Sequence, residues 1–448
     1  MLNSIHIKDF RSFQGVHDVP IAPLTLLVGE NSTGKSTFLA LARLAWDLGA
    51  RDKLLDFNEP PYMLGSFIDM INNSDVNGEK STEFEIGGFT KSYLVKNVND
   101  YVNYYYFASF REHKGMPLIN RFDFYISNTG LRISMREIKS QNDTDIIKGH
   151  NTFNYYYNGI SKDISVQSNI DLNEILVNHL NWIDFPKNDS INKSMKDSTE
   201  IHAYLTYLST HLKNTTRPIS FSPIRSKPDR TYNPYQIKKS PEGSHIPHVL
   251  SRLAIEGGET WKRVRERLEK FGKDSGLFSK LIVRHLGDRR TRDSDPFQIQ
   301  IGFQSFKGKP NLVDVGYGIS QVLPVILDSI EFDSQKRDFL LIQQPEVHLH
   351  PRAQAELGTF YFNEIKPNKR ILIETHSDHL IDRVRMEARD AEGDRRDNHK
   401  HVLILYFERV HGATKIHPIR ISETGDLIDV PDGYRDFFMT EQIRFLGF

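Results

Sequence analysis

The sequence predicts an α/β fold: a mixed sheet with an antiparallel β meander, plus a helical insertion. Leu24 to Trp46 sets a short apolar run, a polar loop and an apolar-periodic segment end to end, which is typical of a strand, a loop and a helix. Short segments rich in Tyr, Phe and Ile between Phe84 and Gln167 predict the meander. Two further short runs, Phe339 to Ile342 and Arg370 to Ile373, predict buried strands.

Length and composition limit what the chain can be. Its 448 residues exceed what one compact core usually organises, so we expect three segments, 1–170, 171–300 and 301–448. Basic and acidic residues are equal in number, so DNA binding would need a local patch. The absence of cysteine excludes disulfides and thiolate metal sites. Because neither a signal core nor a membrane-spanning run is found, we expect a soluble, cytoplasmic protein without membrane contact.

The first segment opens with two predicted strands. Ile5 to Phe13 alternates apolar and polar residues, and the chain is predicted to turn at Gly15 and return through Val19 and Ile21. The aromatic residues of the following meander could stack nucleic-acid bases, but we interpret them as ordinary strand packing. The meander strands are predicted at Tyr104 to Phe110, Phe122 to Ser127, Leu131 to Ile138 and Phe153 to Tyr157.

The loop inside Leu24 to Trp46 matches the phosphate-binding pattern G-x-x-x-x-G-K-[ST] through Gly29, Gly34, Lys35 and Ser36. The glycines let successive N–H groups point at one place, and Lys35 brings a positive charge to the terminal phosphates. The hydroxyl of Ser36 can reach Mg²⁺. The strand before and the helix after favour a nucleoside triphosphate site over a chance glycine-rich turn.

The second segment changes period. Apolar residues at helical spacing between Leu172 and Leu212, separated by a polar stretch, predict the helical insertion. In the basic loop Arg217 to Lys239, Arg225 and Arg230 either face the phosphates of nucleotide or nucleic acid or are solvated, and both interpretations stay open. A helix is predicted over Ser251 to Phe271, followed by strands at Leu281 to Arg284 and Phe297 to Phe303.

The third segment begins with a glycine-rich turn before an apolar helix. Ser320 lies at the predicted helix N-terminus, and Gly316 and Gly318 clear space beside it, which is the geometry of an anion site. A serine-capped turn without a ligand is the alternative. A chain with one phosphate loop can use a second phosphate cradle if two chains share each nucleotide.

Polar residues follow both buried strands of this segment. Gln343, Gln344 and Glu346 follow the first strand, and His376 follows the second, where open α/β sheets bind ligands. The histidines at 348, 350, 376 and 379 invite a metal interpretation. We favour no metal centre among them, because there is no thiolate or arranged carboxylate trio.

Four motifs together resemble one group of ATPases. GENSTGKST, DVGYGISQVLPVI, LLIQQPEVHLHPRAQAEL and ILIETHSDHLI occur in the order and spacing of the ABC-type ATPases that include the RecF, SMC and overcoming-lysogenization-defect families. The chain looks most like the stand-alone members among bacterial anti-phage defence ATPases, and its closing ISETGDLIDVPDGYRDFF resembles their tail. The resemblance leaves roughly residues 70 to 215 unmatched. It implies an ABC-type ATPase head that uses ATP and Mg²⁺.

The resemblance also assigns roles. Gly29 to Thr37 resembles the Walker A loop, Gly316 to Gln321 the signature that caps the nucleotide of an opposing subunit, and His376 the switch histidine at the terminal phosphate. The predicted nucleotide-binding residues are Arg11, Asn31, Ser32, Thr33, Gly34, Lys35, Ser36, Thr37, Gly316, Gly318, Ser320 and Gln321. The predicted catalytic residues are Gln343, Gln344, Glu346 and His376, and the predicted Mg²⁺ ligands are Ser36 and Gln343.

The chain departs from the group at the end of the Walker B strand, where a carboxylate is usual. Gln344 is compatible with the subgroup, but Gln343 stands where a Glu is expected. A Glu-to-Gln change keeps the shape and removes the charge, so it is either an engineered trap for the ATP state or a natural loss of hydrolysis. Glu346 is the nearest carboxylate that could serve in catalysis.

The leading hypothesis is an ATP-hydrolysing ATPase that forms a head-to-tail dimer or larger homo-oligomer around ATP. It would control a separate effector protein, such as a nuclease, in anti-phage defence, since too little chain follows His376 to hold the family's Toprim domain. One alternative is a RecF-like DNA-binding repair clamp that uses the basic stretches Arg217 to Lys239 and Arg284 to Arg292. Another is a nucleotide-gated scaffold that does not hydrolyse ATP.

Overall fold

The computed structural model describes residues 2–50, 55–72, 81–95, 98–127, 131–138, 150–157, 160–167, 218–234, 238–287, 294–334 and 339–434. The helical insertion predicted between Leu172 and Leu212 lies outside these residues. The chain forms two compact units that interleave in sequence. Unit 1 comprises Met1–Ile21, Asn31–Pro218 and Arg409–Lys415, and unit 2 comprises Ala22–Glu30, Ile219–Glu408 and Ile416–Phe448.

The described residues form both strands and helices. The strands are β1 (Leu2–Phe10), β2 (Phe13–Pro20), β3 (Leu24–Gly29), β4 (Glu83–Val95), β5 (Val98–His113), β6 (Met116–Ile126), β7 (Leu131–Ile138), β8 (His150–Tyr157), β9 (Ile160–Gln167), β10 (Ile219–Phe221), β11 (Lys280–His285), β12 (Phe297–Gly302), β13 (Phe339–Gln343), β14 (Arg370–Glu374), β15 (Val402–Val410), β16 (Ala413–Ile421) and β17 (Leu427–Ile428). The helices are α1 (Lys35–Ala50), α2 (Phe67–Met70), α3 (Ile246–Glu256), α4 (Gly258–Ser275), α5 (Tyr317–Ser334), α6 (Pro351–Asn363) and α7 (Asp378–Arg389), with 3-10 helices at Leu312–Asp314 and Gly393–His401.

Unit 1 is built on an antiparallel sheet of order β2-β1-β4-β5-β6-β7-β8-β9. Helix α1 packs against β1 and β4. Aromatic rings fill the core: Phe84 stacks on Phe110 at a centroid distance of 5.1 Å, and Phe10 meets Phe84 edge to face at 5.0 Å. The predicted antiparallel meander is confirmed, and the aromatic side chains described at its centre are core packing.

The turn between β1 and β2 differs from the prediction. It lies at Arg11 and Ser12, and the turn predicted at Gly15 is wrong, because Gly15 lies within β2. Arg11 adopts a left-handed conformation with φ of 49°. Its N–H donates to the carbonyl of Met70 at 2.7 Å, so a contact distant in sequence holds a turn that local sequence does not signal.

Unit 2 contains a second sheet, of order β10-β13-β14-β3-β15-β16-β17. Strands β10, β13, β14, β3 and β15 run parallel. Every residue of β13 and β14 is buried, which explains why both predicted strands are continuous runs rather than alternating patterns. Strands β11 and β12 form a separate antiparallel pair. Together the two units confirm the predicted α/β class.

Helices cover the core of unit 2. Val322 and Ile326 on α5, Leu357 on α6 and Val384 on α7 are buried with the apolar residues of β13 and β14. The single helix predicted over Ser251 to Phe271 is wrong, since the chain forms two helices, α3 and α4, that meet at a pair of glycines with positive φ. No helix among the described residues is long and apolar enough to cross a membrane.

Candidate functional site

The phosphate loop begins at Gly29, the last residue of β3. Gly29 has a φ of 138°, and a Cβ built on it would lie 2.2 Å from the carbonyl oxygen of Phe407 on the neighbouring strand β15. Only glycine can occupy this position without moving the backbone. The loop therefore leaves unit 2 at the carboxyl edge of its parallel strands.

From Asn31 onward the loop belongs to unit 1. Gly34 has a φ of 100°, and a Cβ there would lie 3.0 Å from the ring of Phe13. Ser32 is also left-handed, with a φ of 61°. Lys35 is the first residue of α1 and is buried, and the helical hydrogen bonding begins with Phe38, whose N–H donates to the Gly34 carbonyl at 2.8 Å. The predicted strand, loop and helix thus form in the predicted order.

Two residues that flank the turn between β15 and β16 hold the loop. Arg409 Nη1 donates to the Ser32 carbonyl at 3.0 Å, and Thr414 Oγ1 donates to the Thr33 carbonyl at 2.9 Å. The same Thr414 oxygen lies 2.7 Å from the hydroxyl of Ser12. Sequence reasoning missed Arg409 and Thr414, because they lie nearly the whole chain away from the loop and carry no motif.

Arg11, predicted to bind nucleotide, lies against the end of the loop within unit 1. Its Nη1 donates to Thr37 Oγ1 at 3.3 Å. Its Nε and Nη2 donate to the carbonyls of Asp69 and Leu64 at 3.1 and 2.8 Å. Burial lowers the pKa of Arg11, and the nearby Asp69 charge opposes this shift. These bonds fix the guanidinium beside the first turn of α1.

In unit 2 the parallel register aligns the ends of the central strands. Gln343 of β13 pairs with Glu374 of β14, and Glu374 pairs with Leu27 of β3. Gln343 is buried, and its Oε1 has no hydrogen-bond partner. Gln344 follows in a left-handed conformation with φ of 44°, and its N–H donates to the Glu374 carbonyl at 2.8 Å. The chain therefore bends sharply where β13 ends.

Glu346 and His376 meet at this same edge. Glu346 Oε1 accepts a hydrogen bond from the His376 N–H at 2.7 Å. The carboxylate is only 7% exposed. Burial raises the pKa of Glu346, and the bond from His376 and the charge of Arg225 only partly offset that rise. The imidazole of His376 is exposed. Three of the four predicted catalytic residues, Gln343, Gln344 and Glu346, thus lie within four positions of one strand end, and the fourth contacts Glu346.

The predicted signature forms the start of α5 and contacts the segment after β13. The Tyr317 ring meets the His348 ring edge to face at 4.9 Å. A Cβ on Gly318 would lie 2.6 Å from the His348 carbonyl oxygen, so glycine allows this close approach. Gly316 is exposed, with open space where a Cβ would be. The signature and the segment that follows β13 are therefore in direct contact within unit 2.

Ser320 and Gln321 face inward. Ser320 is 6% exposed, and its hydroxyl donates to the Tyr317 carbonyl at 2.8 Å. Gln321 is 1% exposed, and its Oε1 accepts from the Arg225 N–H at 3.3 Å. The part of the signature that solvent reaches is therefore Gly316 and Tyr317, rather than the Ser320 hydroxyl.

The two arginines of the basic loop have different surroundings. Arg225 is 2% exposed, and its Nη2 donates to the Gln343 carbonyl at 2.9 Å. It therefore fits neither sequence interpretation, since it is not solvated and its bonds go to protein carbonyls. Arg230 is exposed and forms a two-bond ion pair with Asp314. In the second basic stretch, residues 288–292 lie outside the described part of the chain.

The histidines near β13 and β14 have separate roles. His350 Nδ1 accepts from the Arg352 N–H at 3.3 Å and caps α6. His348 contacts Tyr317, as described above. Across the residues that the structure describes, no group of three or more His, Asp or Glu side chains could hold a metal ion.

A phosphate loop between a buried parallel strand and a helix, with polar residues at the ends of the adjacent strands, defines a P-loop nucleotide-binding protein. The chain belongs to the family described as the AAA ATPase domain, which matches residues 1–381. Membership of an ATPase-domain family indicates nucleotide use. A search of curated protein sequences found no match.

Solved structures of Smc head domains are similar to this chain. One is an Smc head bound to the C-terminal winged-helix domain of ScpA, with 14% identity, a TM-score of 0.46, and coverage of 94% of this chain and 98% of that chain. The SMC head domain from Thermotoga maritima has 13% identity, a TM-score of 0.38, and coverage of 94% and 99%. An Smc head from Pyrococcus furiosus, with an extended coiled coil and the C-terminal domain of ScpA bound, has 12% identity, a TM-score of 0.42, and coverage of 99% of both chains.

Proposed function

We propose that the chain is an ABC-type ATPase that binds and hydrolyses ATP with Mg²⁺ and pairs head to tail with a second copy of itself. The observation that supports this best is the parallel alignment of β13, β14 and β3. It places Gln343, Glu374 and Gly29 at one edge of the unit 2 sheet. Ligands of open α/β sheets bind at such an edge.

The loop residues fit a polyphosphate. Gly29 and Gly34 hold conformations that only glycine adopts easily, and Lys35 lies at the first position of a sixteen-residue helix. Helix N-termini favour anions because their first N–H groups lack helical acceptors. Ser36 and Gln343 remain the predicted Mg²⁺ ligands, and Mg²⁺ would neutralise phosphate charge when bound.

Glu346 is the residue proposed to accept a proton from the attacking water. Its raised pKa moves a carboxylate toward the range in which a general base is effective near neutral pH. The bond from the His376 N–H fixes one carboxylate oxygen and ties the base to the proposed switch histidine. Gln343 and Gln344 are uncharged and can orient groups, but cannot take up a proton.

Pairing with a second copy is proposed because the chain has one phosphate loop and one separate signature. Gly316 and Tyr317 are exposed at the start of α5, so a second copy can approach this end of the helix. An ATP bound at Lys35 of one copy would then be covered by the signature of the other. ATP would act as the link between subunits.

The test is the mass of the chain in solution with and without ATP and Mg²⁺, for the parent and for Gly316→Arg. A side chain at Gly316 meets open space, so this change should preserve the fold while blocking approach to α5. Ser305→Arg, at an exposed position of the same unit, adds the same charge and is the matched control. ATP-dependent pairing should be lost only in Gly316→Arg. A mass independent of ATP in the parent, or pairing retained in Gly316→Arg, would contradict the proposal.

We further propose that the ATP state controls a separate effector protein, such as a nuclease, in bacterial anti-phage defence. The motif resemblance supports this role. Phage plating on cells that carry the parent gene with its neighbouring genes should be restored to undefended levels by Lys35→Ala. Equal protection by the parent and Lys35→Ala would count against it.

A non-hydrolysing scaffold is the second candidate, because both residues that follow the core of β13, Gln343 and Gln344, lack a carboxylate. ATP-dependent pairing without phosphate release would favour this alternative over hydrolysis. Phosphate release that depends on Lys35 would exclude it.

A further inference from the structure

Arg225 lies where three parts of unit 2 meet. It follows β10, whose Phe221 pairs in parallel register with Ile342 of β13, so both strands deliver their following residues to one edge. Arg225 is among the largest fully buried side chains described. Buried arginines are uncommon and expensive, since a guanidinium stays charged. Because Arg225 is buried, a contribution to a solvated surface does not explain why an arginine stands here.

The contacts of Arg225 connect the signature helix to the end of β13. Its backbone N–H donates to Gln321 Oε1 on α5 at 3.3 Å. Its guanidinium donates to the carbonyls of Gln343 at 2.9 Å and Gln344 at 3.3 Å. One residue therefore holds the side chain of the last signature position and the two carbonyls that precede Glu346.

The buried position of Arg225 destabilises the charged form of its guanidinium. Burial lowers the pKa of Arg225 to about 10, and the Tyr361 hydroxyl and the Glu346 carboxylate oppose this shift. The bonds that the guanidinium donates go to backbone carbonyls rather than to a carboxylate. Its charge thus lies where two peptide dipoles converge, beside the proposed general base.

The bonding around Arg225 is incomplete. Arg225 Nε, Gln321 Nε2 and Gln343 Oε1 are all buried without a hydrogen-bond partner. Unpaired buried polar groups are costly, so an arrangement that paired some of these atoms would offset part of that cost. Such a second arrangement would give the network the two states that coupling between two sites requires.

We propose that Arg225 is a positioning residue that couples the start of α5 to the residues that end β13. The proposal rests on the proposed function for its purpose, because Arg225 would transmit the effect of binding at the signature to Gln343, Gln344 and Glu346. It does not depend on that function for its test. The contact between Tyr317 and His348 is a second, direct connection, so the experiment must isolate the part carried by Arg225.

The test is hydrogen exchange of the whole chain without nucleotide, in a cycle of Gln321→Ala and Arg225→Met. Gln321→Ala removes the side-chain oxygen on α5 that accepts the Arg225 N–H, and the hydrogen bond described for this oxygen goes to Arg225 rather than to residues 344–347. With Arg225 present, we expect Gln321→Ala to speed exchange of the amides of 344–347 by about five- to tenfold. With Arg225→Met, the same change should have no further effect there.

Arg230→Met is the matched control, since Arg230 belongs to the same loop but bonds exposed Asp314. It should leave exchange of residues 344–347 at the parent level. Arg225→Lys keeps the charge with fewer donors and provides a second variant if Arg225→Met folds poorly. Gln321→Ala that changes only residues 316–321, or that acts equally in the Arg225→Met or Arg225→Lys background, would overturn the proposal.

A second readout separates coupling from a structural role. Arg225→Met should leave the ATP affinity of the monomer within about twofold and raise the protein concentration needed for ATP-driven pairing about tenfold. Equal losses in both would instead indicate general destabilisation and contradict the proposal. If the parent binds no ATP, the proposed function fails, while the exchange cycle still decides the role of Arg225.

Discussion

Replacing Glu346 by Gln separates the chemistry of the site from its stability. The change keeps the shape and the acceptor for the His376 N–H at 2.7 Å, and it removes a charge from a side chain that is 7% exposed. If Glu346 is the general base, turnover should fall by about two to four orders of magnitude. ATP binding should change little, because the phosphate loop is untouched.

Whereas turnover should fall in Glu346→Gln, its free energy of unfolding should rise. A hydrogen bond to a charged acceptor is worth about 1 kcal/mol more than one to a neutral acceptor, which favours the ionised carboxylate. The raised pKa of Glu346 means that burial outweighs this gain. The neutral amide of Glu346→Gln should therefore stabilise the fold by on the order of 1 kcal/mol at about pH 8.

The pH dependence follows from the sign of the shift. Because the folded chain binds this proton more tightly than the unfolded chain, the parent loses stability as pH rises from the ordinary glutamate pKa through the raised folded value. Glu346→Gln lacks that loss, so the two proteins should be equally stable near about pH 4 and diverge above it. Phosphate release and urea unfolding at both pH values measure the two effects. Unchanged turnover, or a variant less stable at every pH, would refute the reasoning.

Three further predictions concern the loop and the strand end. Lys35→Ala should abolish ATP binding measured by calorimetry, because the charge at the terminal phosphates is lost, and undiminished affinity would remove the motif from the mechanism. Gln343→Glu should raise turnover by about two to three orders of magnitude with binding little changed, if the carboxylate is what the site lacks. An unchanged rate would place the catalytic carboxylate elsewhere. Gly29→Ala should cost about 2 kcal/mol more in thermal unfolding than Gly15→Ala, because both positions have positive φ but only the first puts its Cβ 2.2 Å from the Phe407 carbonyl. Equal losses would mean that conformational strain, rather than the clash, sets the cost.

Local signals explain what could be predicted from sequence. The phosphate loop was predictable because strand, loop and helix are contiguous, and β3 and α1 form where the pattern places them. The buried strands β13 and β14 were predictable because burial on both faces leaves a continuous run of suitable residues. The break between α3 and α4 carries a signal too, since Gly257 and Gly258 stand side by side.

Contacts between distant residues explain what could not be predicted. The turn at Arg11 depends on a bond to Met70, and no local pattern marks a left-handed arginine. A cluster of basic residues predicts charge but not burial, so Arg225 could not be told from Arg230 before their surroundings were known. The inward direction of Ser320 likewise follows from the helix turn that its hydroxyl contacts.

The hydrogen bonds that Arg409 of β15 and Thr414 of β16 make to the phosphate loop have a consequence for synthesis of the chain. Arg409 bonds Ser32 across 377 positions, and Thr414 bonds Thr33 across 381. A ribosome finishes the loop early and delivers its anchors only after nearly all of unit 2 has been made. Contacts of such long sequence separation form late and slowly. A nascent chain would therefore carry the motif long before it carried the anchored loop, and nucleotide affinity should arise only when residues 409–415 have emerged.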